Sequence, residues 1–129
     1  MKTIDIGALG ENAAVAFLKK QGLKILGRNL HFSHNEIDVV AKDTKNKILV
    51  FVEVKTRSLG EDMYLKYGAP SAAVTKQKQQ RLIEAARSYI FDNCKFKDYQ
   101  IRFDVTEVYI SKTNFEIIKI NHIENAFGV

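Results

Sequence analysis

Cysteine is nearly absent from this chain: Cys94 is the only one. A single thiol cannot build an internal disulfide framework, so the fold is expected to hold by its core and to suit a reducing cytoplasm. Proline is as scarce. Pro70 follows Gly60 and Gly68, and the stretch from Thr56 to Pro70 reads as an irregular loop. Long apolar runs are missing as well. No stretch approaches the ~20 residues that cross a membrane, and the N-terminus lacks a signal-peptide apolar segment, so neither membrane insertion nor export is expected. There is no internal repeat, low-complexity tract or linker. Gly7-Ala8-Leu9-Gly10 has no strand before it, which argues against a dinucleotide-binding loop.

What is present fits one globular unit spanning 1–129. The composition is 46% hydrophobic and 27% charged. A chain of this length buries roughly two-thirds of its unfolded surface. Twenty Lys and Arg against 15 Asp and Glu leave a net charge of +5, which favours a polyanionic partner.

The run Ile48-Leu49-Val50-Phe51-Val52-Glu53-Val54-Lys55 carries the most information. Its apolar, partly β-branched start predicts a strand buried on both faces. Side chains alternate along a strand, so Glu53 and Lys55 share one face and Val52 and Val54 the other. Glu36-Ile37-Asp38-Val39-Val40-Ala41 predicts a second strand, with Glu36 and Asp38 on one face and Ile37 and Val39 on the other. The polar Lys42–Lys47 stretch is short enough to turn a hairpin between them. Antiparallel pairing then brings Asp38 close to Glu53.

Leu9–Gln21 predicts a helix ended by Gly22, with Glu11, Ala14, Val15 and Leu18 on one stripe and Glu11 at its edge. As a first-turn acid, Glu11 could instead serve the helix dipole. A short strand over Leu23–Leu26 and a polar segment Arg28–Asn35 follow. A second helix starts at a cap, Ser71 or Thr75, and runs to about Asn93. Its inward stripe is Leu82, Ala85, Ala86, Tyr89 and Asn93, and Lys78 falls on that same stripe. Ile101–Ile110 and Phe115–Ile120 read as strands, and His122–Phe127 closes the chain. The fold class is α/β, a mixed sheet flanked by helices.

Glu11, Asp38 and Glu53 would converge as three carboxylates, which repel one another unless a cation or protons intervene. Hard oxygen ligands of this kind suit Mg²⁺ or Mn²⁺, and the Val54 carbonyl could add another. Lys55 could orient the attacking water or stabilise phosphoryl oxygens. The reaction these parts fit is metal-dependent phosphodiester hydrolysis. A lone Glu-x-Lys is ordinarily a surface ion pair worth under about 1 kcal/mol. Two acidic pairs in this order, both on apolar strands, point instead to a shared site.

Elsewhere the plainer reading prevails. His31 and His34 lack a third zinc ligand nearby and read as surface residues, and His122 as a core-edge residue. Arg102 and Asp104 share a strand face and read as a fold-stabilising ion pair. Arg57, Lys66, Lys76, Arg81 and Arg87 could contact phosphates, and Tyr64 and Tyr67 could stack on unpaired bases.

Asp38 followed by Glu53-Val54-Lys55 resembles the Asp…Glu-x-Lys signature of the restriction-endonuclease-like superfamily, which includes the archaeal Holliday junction resolvases. More closely, several segments together resemble the YraN family of small bacterial proteins. They are Gly10-Glu11-Asn12-Ala13-Ala14, Glu36-Ile37-Asp38, Phe51 to Arg57, Arg102-Phe103-Asp104-Val105 and Ile123 to Phe127. The resemblance implies a helix-first αβββαβ nuclease core in a cytoplasmic bacterial protein. It implies Glu11, Asp38 and Glu53 as metal ligands, Lys55 as the catalytic lysine, and a matching role for Lys78. Likeness to the resolvases implies a homodimer acting on DNA. The family usually has glycine before Glu-Ile-Asp, where this chain has Asn35, a residue that tolerates positive φ.

Three functions are therefore weighed: a Mg²⁺-dependent endodeoxyribonuclease, a nucleic-acid-binding module without turnover, and a structural protein with ordinary ion pairs.

Overall fold

Asp5 opens the first helix, its carboxylate accepting a hydrogen bond from the Ala8 N–H at 3.0 Å. Helix α1 then runs Ile6–Lys20, one turn earlier than its apolar stripe alone indicates, because the cap supplies the start. Glu11 consequently sits in the second turn, beyond the reach of the dipole role. Gly22, at φ +89°, ends the helix as expected. The protein is described by a computed structural model over residues 3–60 and 74–128.

Five strands follow in sheet order β1-β2-β3-β4-β5: β1 Lys24–Phe32, β2 Asn35–Asp43, β3 Ile48–Leu59, β4 Gln100–Ser111 and β5 Ile117–Phe127. Helix α2, Lys76–Asp92, lies between β3 and β4, which pair in parallel; the other neighbours are antiparallel. A short 3₁₀ turn, Cys94–Phe96, leads into β4. The order is αβββαβ with a further strand, compatible with a restriction-endonuclease-like core.

Helix α1 covers one sheet face, where Val15 and Leu18 pack with Val39, Ala41, Val50 and Val52, and Ala14 with Val108 and Ile110. Helix α2 covers the other, where Leu82, Ala85, Ala86 and Tyr89 meet Val40, Leu49, Phe51 and Phe103. Strand β3 is thus buried on both faces, as its apolar run requires. Thr75, not Ser71, caps α2, its Oγ1 accepting the Lys78 N–H at 3.1 Å. Ser71 lies outside the described residues.

Several boundaries differ from those the residue pattern indicates. β1 reaches Phe32 rather than Leu26, and Phe32 pairs with Asn35 across Ser33-His34. Backbone pairing with β2 carries it through a polar stretch that has no alternation to show. The left-handed residues there are Asn29 and Ser33, at φ 50° and 58°, so Asn35 does not need the positive φ for which it is suited. β3 runs on through Thr56–Leu59, where a loop is expected, because β4 pairs with it in register to Ser111. Phe115–Ile120 and His122–Phe127 are not two segments. Residues Ile117–Phe127 form one edge strand on β4.

Candidate functional site

Strands β2 and β3 pair only as far as Val39 opposite Val52. Continuing that register would set Ile37 opposite Val54. Instead the Val54 N–H donates to Asp38 Oδ2 at 2.8 Å. A side-chain carboxylate thus takes the place of a ladder carbonyl, and β2 parts from β3 at Asp38. Ile37 there packs with Val40 on the α2 side, while Val39 packs on the α1 side. Ile37 and Val39 therefore do not share a face, contrary to strict alternation. Beyond Asp38, β2 pairs with β1 alone, Ile37 opposite Leu30, and the constraint from β3 is gone.

Glu53 follows Val52 on the α2 side of β3, its side chain 13% exposed. Lys78 reaches it from α2, Nζ standing 3.7 Å from Oε1. The inward lysine of the helical stripe and the acid of the strand thus meet. Burial pushes Glu53 up to about 7, the Asp38 charge adds to the rise, and Lys78 and Lys55 oppose it. Asp38 is raised too, chiefly by burial, against the pull of the Val54 amide and with Glu36 adding to the rise. Lys55, two residues beyond Glu53, lies on the same strand face and is half-buried.

A cleft of about 520 Å³ opens where the strands part, lined by Glu11, Glu36, Asp38, Val54, Thr56 and the start of α1. Gly10 lets the helix come this close. A Cβ there would meet the Thr56 side chain at 2.0–2.8 Å. Glu11 faces the cleft, but its Oε1 accepts from Arg28 Nε at 3.0 Å and Asn29 Nδ2 at 2.8 Å. Arg28 also donates to Asn12 Oδ1 at 2.6 Å. Among the described residues no three acidic, histidine or cysteine side chains stand together as a ready ligand set. The donor chemistry still fits a hard divalent cation. Two half-buried carboxylates both bind protons more tightly than usual, the Asp38 charge adding to the rise at Glu53; the second oxygen of Asp38 is not taken by the Val54 amide, and Val54 itself lines the cleft. Asp38, Glu53 and the Val54 carbonyl would hold the ion; Glu11 would join by giving up Arg28 and Asn29.

The remaining candidates are spread more widely. Lys76 and Arg81 are exposed on α2, and Arg57 is half-buried on β3. Lys66, Tyr64 and Tyr67 lie outside the described residues. His31 and His34 are exposed at the β1–β2 tip. Arg102 grips Asp104 through Nε and a terminal nitrogen, both at 2.9 Å, and His122 Nε2 reaches the same carboxylate at 2.9 Å. A larger groove of about 980 Å³ lies between the β1–β2 tip and α2, but it holds none of the raised carboxylates. Residue reasoning missed Arg28, Asn29 and Glu107. The first two stand in the polar segment taken to have no element. Glu107 carried a usable signal, an acid directly before the apolar run Val108-Tyr109-Ile110.

The family described as "Uncharacterised protein family UPF0102" matches residues 10–108, a span holding Glu11, Asp38, Glu53, Lys55 and Lys78. A UPF0102 protein of Caldanaerobacter subterraneus subsp. tengcongensis is 44% identical over 122 residues, 95% of this chain and 93% of the relative. Another, from Caldicellulosiruptor saccharolyticus, is 44% identical over 127 residues, 98% of this chain and all of the relative. A third, from Flavobacterium psychrophilum, is 42% identical over 123 residues. The names of these relatives state no activity. With the family matching most of its length, the chain belongs to UPF0102, the YraN family of small bacterial proteins.

Proposed function

We propose that this protein is a metal-dependent endonuclease that hydrolyses phosphodiester bonds in DNA, with branched DNA as its substrate class. The observation that carries the reading is the split between β2 and β3. Two half-buried carboxylates, Asp38 and Glu53, lie there within electrostatic reach of one another with raised proton affinity, and the lysines Lys55 and Lys78 act on Glu53. Asp38 lines the cleft and Glu53 stands at the same split of the strands, and perturbed groups gathered in this way are expected where chemistry is done. A bound Mg²⁺ or Mn²⁺ would polarise the phosphate and acidify the attacking water.

The chain's own residues have separate tasks. Asp38 is oriented by the Val54 amide, which holds one oxygen, and its other oxygen would take the ion. Lys78 partly offsets the Glu53 charge and keeps the carboxylate turned toward α2. Lys55, a compact cation on the Glu53 face, would hold the water or a phosphoryl oxygen as negative charge develops. Arg57, Lys76 and Arg81 would contact flanking phosphates, which fits the net charge of +5. A second copy of the chain would serve the second strand of a branched substrate.

The test is a panel of duplex, single-stranded and four-way branched DNA, incubated with Mg²⁺, Mn²⁺ or EDTA. Metal-dependent cutting by the wild type that is lost in Asp38→Ala is expected. Metal-independent binding without cutting by either protein would favour a binding module with the nuclease fold. No binding to any member of the panel would sink both readings.

A further inference from the structure

Glu107 Oε2 is the one buried side-chain polar atom among the described residues that lacks a hydrogen bond. Its side chain is wholly buried on β4, opposite Lys55 in the parallel register with β3. Alternation puts it on the sheet face that also carries Glu53, Lys55 and Arg57. One oxygen has a partner: Asn121 Nδ2 on β5 donates to Oε1 at 3.3 Å. The other faces Arg57 Nε at 3.6 Å, within ion-pair range but beyond hydrogen-bonding distance. Arg57 is 38% exposed, so its guanidinium spans from the buried acid to solvent.

A carboxylate removed from water is tolerated only beside a compensating charge. Arg57 supplies it, and a guanidinium has donors to spare. Its planar fork carries five N–H groups, so one edge can rest on Glu107 while the other stays open to an anion. A long side chain tethered in this way loses less freedom on gripping a phosphate. We propose that Glu107 is a positioning residue that anchors Arg57 so that its outward edge binds a DNA phosphate beside the Glu53–Lys55 site. The inference rests on the nuclease reading for its ligand, and on the ion pair for its mechanism.

The experiment measures affinity for labelled duplex and four-way branched DNA in EDTA across a salt series, for wild type, Arg57→Ala, Glu107→Gln and the double variant. Loss of one phosphate contact makes the slope of log affinity against log salt shallower by about 0.9. Arg57→Ala and Glu107→Gln are each expected to show that change, and the double variant no more than either alone. Should Glu107→Gln not fold, Glu107→Met replaces it, since an apolar side chain of similar volume suits a buried site. A wild-type slope in the Glu107 variants would overturn the proposal, as would additive losses in the double variant. If wild type binds neither DNA, the nuclease reading falls. The ion pair is then judged from the Arg57 Nε–H resonance. It is expected to shift between wild type and Glu107→Gln as the facing charge is removed, and an unchanged resonance overturns the anchoring itself.

Discussion

The Asp38 carboxylate stands in for a strand carbonyl, accepting the Val54 N–H at 2.8 Å where the β2–β3 ladder ends. One side chain therefore both terminates the pairing and forms the site, and two substitutions separate these tasks. Asp38→Asn keeps an acceptor for Val54 and removes the charge, so it is expected to preserve stability while ending metal-dependent cutting. Asp38→Ala leaves the Val54 N–H without its partner, at a cost of about 1–3 kcal/mol. Urea midpoints of the two variants check this. Equal stability of Asn and Ala variants would mean the hydrogen bond does not hold the split.

Gly10 and Thr56 set how closely α1 approaches β3. A methyl group at residue 10 would lie 2.0 Å from Thr56 Oγ1 and 2.6 Å from its Cγ2, distances that force something to move. Gly10→Ala is therefore expected to destabilise by about 1–3 kcal/mol, the range for overpacking, despite the better helix propensity of alanine. Thr56→Ala removes both clashing atoms but not Cβ, so the double variant should recover part of the loss. A double-mutant cycle with no coupling would refute the close packing.

The raised proton affinity of Glu53 has a consequence for stability with a definite sign. The group titrates near 4.5 in a free chain and about 7 here. Between those values the folded protein holds a proton that the unfolded chain has released, so stability falls as pH rises through this window. Lowering the pH from about 8 to about 5 is thus expected to raise the melting temperature, an effect that Asp38 supports and Glu53→Gln flattens. A cation in the site competes with that proton. Mg²⁺ or Mn²⁺ should therefore stabilise wild type more at about pH 8 than at about pH 5, and should do little for Asp38→Asn. Equal stabilisation of wild type and variant would place the ion elsewhere.

The parts of this site that periodicity encodes were readable from the residues. The apolar run before Glu53 marks β3 because burial on both faces leaves a continuous hydrophobic signal. Lys78 betrays itself by standing on the stripe of Leu82 and Ala85, and it does meet Glu53. Backbone pairing leaves no such trace. Arg28 and Asn29 belong to β1 because β2 pairs with Arg28 and Leu30 on either side, and nothing in their polarity says so. The same holds for Thr56–Leu59, which stay extended because β4 lies alongside. The break in alternation at Asp38 is a property of where two ladders diverge, so only their registers expose it.

Asp104 is expected to set the acid limit of the fold. Burial is the largest influence on it and acts upward, yet the His122 and Arg102 hydrogen bonds and the Asn125 amide together outweigh it, and its affinity for protons is lowered. An acid with a folded value below its unfolded one contributes stability that is full above the ordinary carboxylate range and is lost as pH falls through the folded value. Acid unfolding of the wild type should therefore steepen below about pH 4, and Asp104→Asn should blunt that limb. At neutral pH, Asp104→Ala leaves Arg102 and His122 without their common acceptor and is expected to cost about 3–5 kcal/mol. Chemical denaturation at neutral and acid pH measures both. A wild-type acid limb in Asp104→Asn would assign the acid sensitivity to another carboxylate, because no ionised group would remain at residue 104 to lose.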